Sequence, residues 1–274
     1  MITSIANQRV KNVMQLLQKP KERKKKGLYV IEGMKLFNEA PPEHIREIYI
    51  SEELRADRDC FEQVNAKVLQ CAAVKNEVTI DIFINALFKK VSDTQTPQGI
   101  LCVLEMPRYE EEELLRKENG LYMVLEDIQD PGNLGTIFRA GEGAGITGVI
   151  MSGQTVDIFN PKAIRATMGS VYRVPFVYTE NLHESIQNMQ KNGIRVFAAH
   201  LKGSSVYDAN NYCGSTAFLI GNEGNGLKEE TAALADGTVR IPMEGKVESL
   251  NASVAASLLM YEAARQRRND RSRA

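Results

Sequence analysis

The chain has 274 residues, 43% of them hydrophobic and 25% charged, with a formal net charge of −1. That is the composition of a soluble globular protein with room for two domains. No apolar run approaches the roughly 20 residues of a bilayer span, and the start lacks a basic region followed by an apolar stretch, so a cytoplasmic location is expected.

In chain order, Leu28–Gly33 reads as a strand ending at a glycine turn, followed by a helical stretch from Met34 to Ala40. Ile45–Ile50 reads as a second strand and is followed by a helix-compatible stretch to about Ala66. The pattern then predicts a short strand near Val68, a helix from Val78 to Leu87, and a strand over Gly99–Leu104. Together they predict a small α/β domain over residues 1–105. Residues 106–120, with Glu110–Glu113 and few apolar positions, read as a linker.

From Leu121 the pattern becomes a repeated alternation of strand and helix. Strands are predicted at Leu121–Leu125, Gly148–Met151, near Val174, and at Arg195–Ala199, Ala217–Ile220 and Val239–Ile241. Helices are predicted from about Leu134, at Pro161–Thr167, Leu182–Lys191 and Leu227–Leu234, and from Leu250 to Arg267. This alternation implies a parallel sheet with helices on both faces over residues 121–274.

Cys60, Cys71, Cys102 and Cys213 are isolated, and His44, His183 and His200 are the only histidines. Neither a disulfide framework nor a metal site is implied, and buried, reduced thiols are expected. Positive charge is concentrated in two runs. One is Lys19, Lys21, Arg23, Lys24, Lys25 and Lys26; the other is Arg265, Arg267, Arg268, Arg271 and Arg273. Such runs are either solvated surface or an RNA footprint, and Lys21, Arg23, Lys24, Lys25 and Lys26 are the candidate RNA contacts.

Three segments of the C-terminal half stand out in a fixed order. The first, Asn133 to Ala140, follows a Pro131-Gly132 turn, which puts Asn133 at the expected N-cap of a helix. Arg139 lies about 200° around that helix from Ile137, so it can point away from the sheet. The second, Gly221 to Leu227, leaves an apolar strand at the carboxyl edge of the sheet, where open α/β folds place ligands. The Lys-Ser/Thr pair of a phosphate loop is missing, so no triphosphate chemistry is implied. Gly141–Gly145 lies at a helix end rather than after a strand, so it is not a dinucleotide loop. The third segment, Ile241 to Ala255, runs from a strand into the last helix. Its expected start near Ser249 places Ser249 and Asn251 beside free backbone N–H groups. Leu250, Val254 and Leu258 form one stripe of that helix, extended by Ala255, Ala256, Leu259 and Ala263.

In residue type, spacing and order, these segments resemble the signature of the SpoU/TrmH family of RNA ribose 2′-O-methyltransferases. The resemblance implies a knotted α/β catalytic domain that binds S-adenosylmethionine. Gly27–Gly33 and the preceding basic run resemble the family's N-terminal RNA-binding domain, which is similar to ribosomal-protein domains.

Carried over position by position, Asn133, Arg139, Glu223, Ser249 and Asn251 are the expected active-site residues. Gly221, Asn222, Ile241, Met243 and Leu250, together with Ala199 and His200, are expected to line the cofactor pocket. A carboxylate suits a bidentate pair with arginine, so Glu223 is expected to hold Arg139. The resemblance also implies a homodimer through the C-terminal domain. Its ribosomal-RNA branch fits both halves of the chain, with transfer RNA, a resistance-type methylase and a non-catalytic RNA-binding protein as alternatives.

Overall fold

The alternating apolar segments are realised as two sheets in a computed structural model that describes residues 1–271. Of the C-terminal basic run, Arg273 and the side chain of Arg271 lie outside the described part. The residues pack into two units. One comprises Met1–Arg108 and Asp157–Tyr172; the other comprises Tyr109–Val156 and the chain from Arg173 onward.

The first unit begins with helices α1 (Gln8–Gln18) and α2 (Pro20–Lys26), followed by β1 (Leu28–Glu32), α3 (Met34–Glu39), β2 (Ile45–Ser51), α4 (Glu52–Ala56) and α5 (Arg58–Ala73). It continues with β3 (Thr79–Phe83), α6 (Asn85–Val91) and β4 (Ile100–Glu105). Its four strands lie in the order β1-β4-β2-β3, with only β2 and β3 parallel. Val10, Val13, Leu16, Tyr49, Phe83, Leu101 and Val103 are buried in its core.

Two expectations fail in this unit. Val68 lies inside α5, which Asp57 caps by accepting from the Cys60 N–H at 3.0 Å and which buries Val64, Lys67 and Cys71 at helical spacing. The stretch 78–87 is a strand and then a helix. Thr79–Phe83, rich in β-branched residues, pairs in parallel beside β2, and the N-terminus adds to its other edge, with Ile2 N–H donating to Ile82 O and Ile84 N–H to Ile2 O. Cys71 and Cys102 are buried, whereas Cys60 and Cys213 are half-buried.

The second unit opens with α7 (Glu111–Leu115), inside the stretch expected as linker. Leu114 and Leu115 pack into the core beside Tyr122 and Val124, and the Tyr122 hydroxyl donates to Leu114 O at 2.9 Å. Then come β5 (Leu121–Leu125), α8 (Pro131–Ala144), β6 (Gly148–Ser152), α9 (Pro161–Thr167), β7 (Phe176–Thr179), α10 (Leu182–Lys191) and β8 (Arg195–Ala199). The remaining elements are β9 (Ser205–Val206), β10 (Thr216–Ile220), α11 (Glu229–Ala233), β11 (Gly237–Arg240) and α12 (Ala252–Arg271). Of these, α9 belongs to the first unit.

The seven strands run β7-β6-β5-β10-β8-β11-β9, every pair parallel. All residues of β5, β6 and β10 are buried, as expected for strands covered on both faces. Chain order turns outward from β5 through β6 and β7, then returns to the other side of β10. The carboxyl ends of β5 and β10 therefore lie side by side at a switch point, the usual ligand position in such sheets.

The last helix is fastened near its end. The Arg267 guanidinium donates to four carbonyls, those of Tyr212 (2.9 Å), Asn119 (2.8 Å), Gly120 (3.1 Å) and Gly214 (2.7 Å). Arg265 pairs with Glu262 at 2.8 Å, so these members of the C-terminal basic run are engaged internally.

Candidate active site

Strand β5 delivers the turn Glu126–Asp130, and β10 delivers the loop Gly221–Leu227. The loop closes on itself through a pair of bonds, Asn222 N–H to Gly226 O at 3.1 Å and Gly226 N–H to Asn222 O at 2.8 Å. A Cβ on Gly221 would stand 2.1 Å from both Gly226 C and Leu227 N, so only glycine permits this closure. Asn222 braces the same loop. Its Oδ1 accepts from the Gly224 and Asn225 N–H groups, and its Nδ2 donates to Asp127 O at 2.9 Å.

Helix α8 starts one residue after Asp130, which accepts from Asn133 N–H at 2.9 Å. Asp130 is therefore the N-cap, with Pro131 at the first helical position, and Asn133 sits three residues in. This corrects the expected cap, and its consequence is that the Asn133 side chain is free to face the site.

The Glu223 carboxylate is held on both oxygens. Oε2 accepts from Gln129 N–H at 3.0 Å, while Oε1 accepts from Asp130 N–H at 3.0 Å and Asn133 Nδ2 at 2.9 Å. Asn133 Oδ1 in turn accepts from Asn251 Nδ2 at 2.9 Å. Asn251 Oδ1 accepts from the Ser253 N–H and hydroxyl and from Val254 N–H, so Asn251 rather than Ser249 caps α12. Burial pushes the Glu223 carboxyl upward, but hydrogen bonds from Asn133, Gln129 and Asp130 outweigh it and hold the group below its ordinary value.

A cleft of about 410 Å³ opens over this chain of bonds, lined by Gln129, Asp130, Asn133, Glu223, Ser249, Leu250, Asn251 and Ala252. Asn133, Glu223, Ser249, Leu250 and Asn251 of the sequence-derived set thus converge. Gln129, Asp130 and Ala252 were missed, although an Asp-Pro pair ahead of a helix marks a cap. Ala199, His200, Gly221, Asn222, Ile241 and Met243 do not line this cleft. His200 N–H donates to Val239 O, and its Nδ1 accepts from Lys202 N–H.

Arg139 is exposed, and its guanidinium makes no hydrogen bond or ion pair among the described residues. The expected Arg139–Glu223 pair is not formed. Six helical positions separate Arg139 from Asn133, about 9 Å along the axis, and the Glu223 oxygens are already occupied.

The basic run of α2 divides as well. Lys21, Lys24, Lys25 and Lys26 are exposed, with Lys26 reaching Asn12 Oδ1 and Glu22. Arg23 is 1% exposed. It donates to Leu16 O at 2.7 Å and Leu17 O at 3.1 Å, and pairs with Asp157 at 2.7–2.8 Å. A guanidinium that is buried and committed to internal acceptors is out of reach of phosphate, so Arg23 is withdrawn as an RNA contact.

Residues 120–261 match the model of the SpoU rRNA Methylase family, and residues 7–102 match an MRM3-like substrate binding domain. The chain belongs to the SpoU rRNA methylase family. A relative from Bacillus subtilis, the 23S rRNA (guanosine(2553)-2′-O)-methyltransferase RlmP, is 33% identical over 95% of this chain and 97% of its own length. The AdoMet-bound rRNA methyltransferase from Sinorhizobium meliloti is 31% identical, with a TM-score of 0.83 over 96% of this chain and 97% of that one. The SpoU methyltransferase AviRb from Streptomyces viridochromogenes is 26% identical, with a TM-score of 0.82 over 96% and 99% of the two chains.

Proposed function

We propose that the chain is an S-adenosylmethionine-dependent methyltransferase acting on a ribose 2′-hydroxyl in large-subunit ribosomal RNA. The observation that carries this reading is the bond sequence from Asn251 through Asn133 to Glu223, which joins all three family segments at one cleft. Full-length similarity to a 23S rRNA 2′-O-methyltransferase supports the chemistry and the substrate class.

The cleft falls within the roughly 300–1,000 Å³ of ordinary ligand sites. Beside it, residues 241–250 form no hydrogen bond among the described residues, so the backbone groups of Ile241, Met243 and Leu250 are available to a ligand. Together with Gly221, Asn222, Ala199 and His200, they are the residues that would hold the cofactor. When bound, S-adenosylmethionine supplies an electrophilic sulfonium methyl group.

The chain's own residues then have to align a 2′-hydroxyl, stabilise the charge it develops and accept its proton. Glu223 is a fixed anion that orients Asn133, whose second Nδ2 hydrogen remains for the ribose. Ser249, exposed at the rim of the cleft, adds a hydroxyl for ribose or cofactor. The Arg139 guanidinium acts electrostatically on the developing alkoxide and an adjacent phosphate.

Lys21, Lys24, Lys25 and Lys26 form the basic face of α2 that meets RNA. Val254, Leu258 and Tyr261 form an exposed apolar stripe on α12 and support a homodimer through this unit. The insertion of β10 between the earlier strands β5 and β8 is compatible with the knotted path of the family. Action on ribosomal RNA supports a cytoplasmic location.

The test is transfer of labelled methyl from S-adenosylmethionine to separate pools of unmodified ribosomal and transfer RNA, followed by nucleoside analysis. A 2′-O-methylnucleoside from the ribosomal pool is expected, with Arg139→Ala abolishing transfer while cofactor affinity is kept. Label confined to transfer RNA overturns the substrate, and a base-methylated product overturns the mechanism.

A further inference from the structure

The turn from β5 and the loop from β10 meet at Glu223, but they are also joined a few residues away by a contact outside the cleft lining. Lys228 directly follows the Gly221–Leu227 loop, and its Nζ lies 2.9 Å from Asp127 Oδ2 in the Glu126–Asp130 turn. The same turn is fixed to the chain after the loop by Glu126, which is buried and accepts from Lys228 N–H at 2.9 Å and from the Thr231 hydroxyl at 2.6 Å.

Asp127 adopts a left-handed backbone conformation, φ +56°, which aspartate tolerates better than most non-glycine residues and which its surroundings here hold in place. Those surroundings are specific. Asp127 N–H donates to Ser152 Oγ at 2.9 Å, the Ser152 hydroxyl donates back to Asp127 Oδ1 at 2.7 Å, and Asp127 O accepts from Asn222 and Gln129 side chains. Burial disfavours the Asp127 carboxylate, but bonds from Lys228 and Ser152 and the Lys228 charge outweigh it and keep it below its ordinary value.

The geometry has a direct outlet into the site. Two of the three donors on Glu223 are backbone N–H groups of Gln129 and Asp130, two and three residues after Asp127. Their direction is set by the backbone of this turn, not by their own side chains.

We propose that Asp127 and Lys228 form a positioning pair that sets the Gln129 and Asp130 amides against Glu223, and through Glu223 the orientation of Asn133. The proposal rests on the reading of Glu223 and Asn133 as site residues. Neither member of the pair lines the cleft, and Lys228 is 54% exposed; its Nζ also lies 3.7 Å from Oε1 of the buried Glu126, so replacing it removes the cation from both carboxylates.

The test is single-turnover methyl transfer from saturating S-adenosylmethionine to unmodified ribosomal RNA by the full chain and its Lys228→Met, Lys228→Arg, Glu223→Gln and Lys228→Met/Glu223→Gln variants. Misplacing reacting groups by about 1 Å costs on the order of a hundredfold, so Lys228→Met is expected to slow transfer by roughly tenfold to a hundredfold. The KM for RNA should stay near that of the parent, and Lys228→Arg should restore most of the rate. In the Glu223→Gln background the Lys228→Met change should cost little more, because its effect passes through Glu223.

Equal factors in both backgrounds overturn the proposal, as does a Lys228→Met enzyme of parental rate while Glu223→Gln is slow. A Glu223→Gln enzyme of parental rate removes the reading of Glu223 itself, and the positioning role falls with it.

Discussion

Arg23 separates two physical roles that the sequence alone leaves merged. Replacement by methionine keeps the helix-compatible stem but removes a guanidinium that binds Asp157 through Nε and Nη2 and the Leu16 and Leu17 carbonyls through Nη1. Asp157 is left as a largely buried anion without its cation, with a side-chain exposure of 13%. Breaking a buried pair in this way costs about 3–5 kcal/mol. Both carbonyls also lose an internal donor, and reaching water partly offsets that loss because Leu16 and Leu17 lie near the end of α1. The expected destabilisation is therefore about 3–5 kcal/mol, confined to the unit that holds both partners. Urea unfolding followed by hydrogen exchange in α1 and β1 reports that unit separately. Lys21→Met and Lys25→Met serve as controls. Each should leave stability within about 0.5 kcal/mol, as is usual for surface changes. Each should also reduce the salt dependence of RNA binding by about one phosphate contact. An Arg23→Met protein of parental stability with a reduced salt slope would refute the assignment and return Arg23 to the RNA surface.

Gly221→Ala places a Cβ 2.1 Å from the backbone of Gly226, so the loop has to open; calorimetric titration should show lost S-adenosylmethionine affinity, and denaturation a penalty of at least the roughly 1–3 kcal/mol of ordinary overpacking. Glu223 has a folded-state pKa held below its ordinary value of 4.5, so its contribution to stability is fully present above the unfolded pKa and is lost as pH falls through the lower folded one. The stability gap between parent and Glu223→Gln should accordingly be flat at neutral pH and close in acid, measured by denaturation across pH. Leu258→Glu puts a charge in the exposed α12 stripe and should give a monomer by light scattering without loss of melting temperature; an unchanged dimer would place the interface elsewhere.

What could be read in the sequence follows how local each cause is. Helices α9 and α10 begin and end where the sequence predicted, since Asn160 and Asn181 cap them from the adjacent position. Strands β5, β6 and β10 announce themselves as unbroken apolar runs because both faces are covered. Strand β3 was lost because it is half-exposed and is completed by Ile2, some 80 residues earlier in the chain. The cleft residues were legible through motif spacing, but their bonding was not. The Asn251–Asn133 and Asn133–Glu223 contacts span 118 and 90 residues, and the partner that buries Arg23 is 134 residues away. A basic run looks the same whether its arginine faces solvent or an aspartate on a distant segment.

The four carbonyls gathered by Arg267 have a bearing on biosynthesis. Asn119 and Gly120 lead into β5, and Gly214 leads into β10, so the last turns of α12 complete the approaches to both central strands. Those turns are synthesised 148 residues after Asn119 and 53 after Gly214, and until then the nascent sheet waits with these carbonyls unserved. The cleft at its carboxyl edge therefore matures only once α12 has emerged, whereas most of the N-terminal unit has emerged long before and can collapse first.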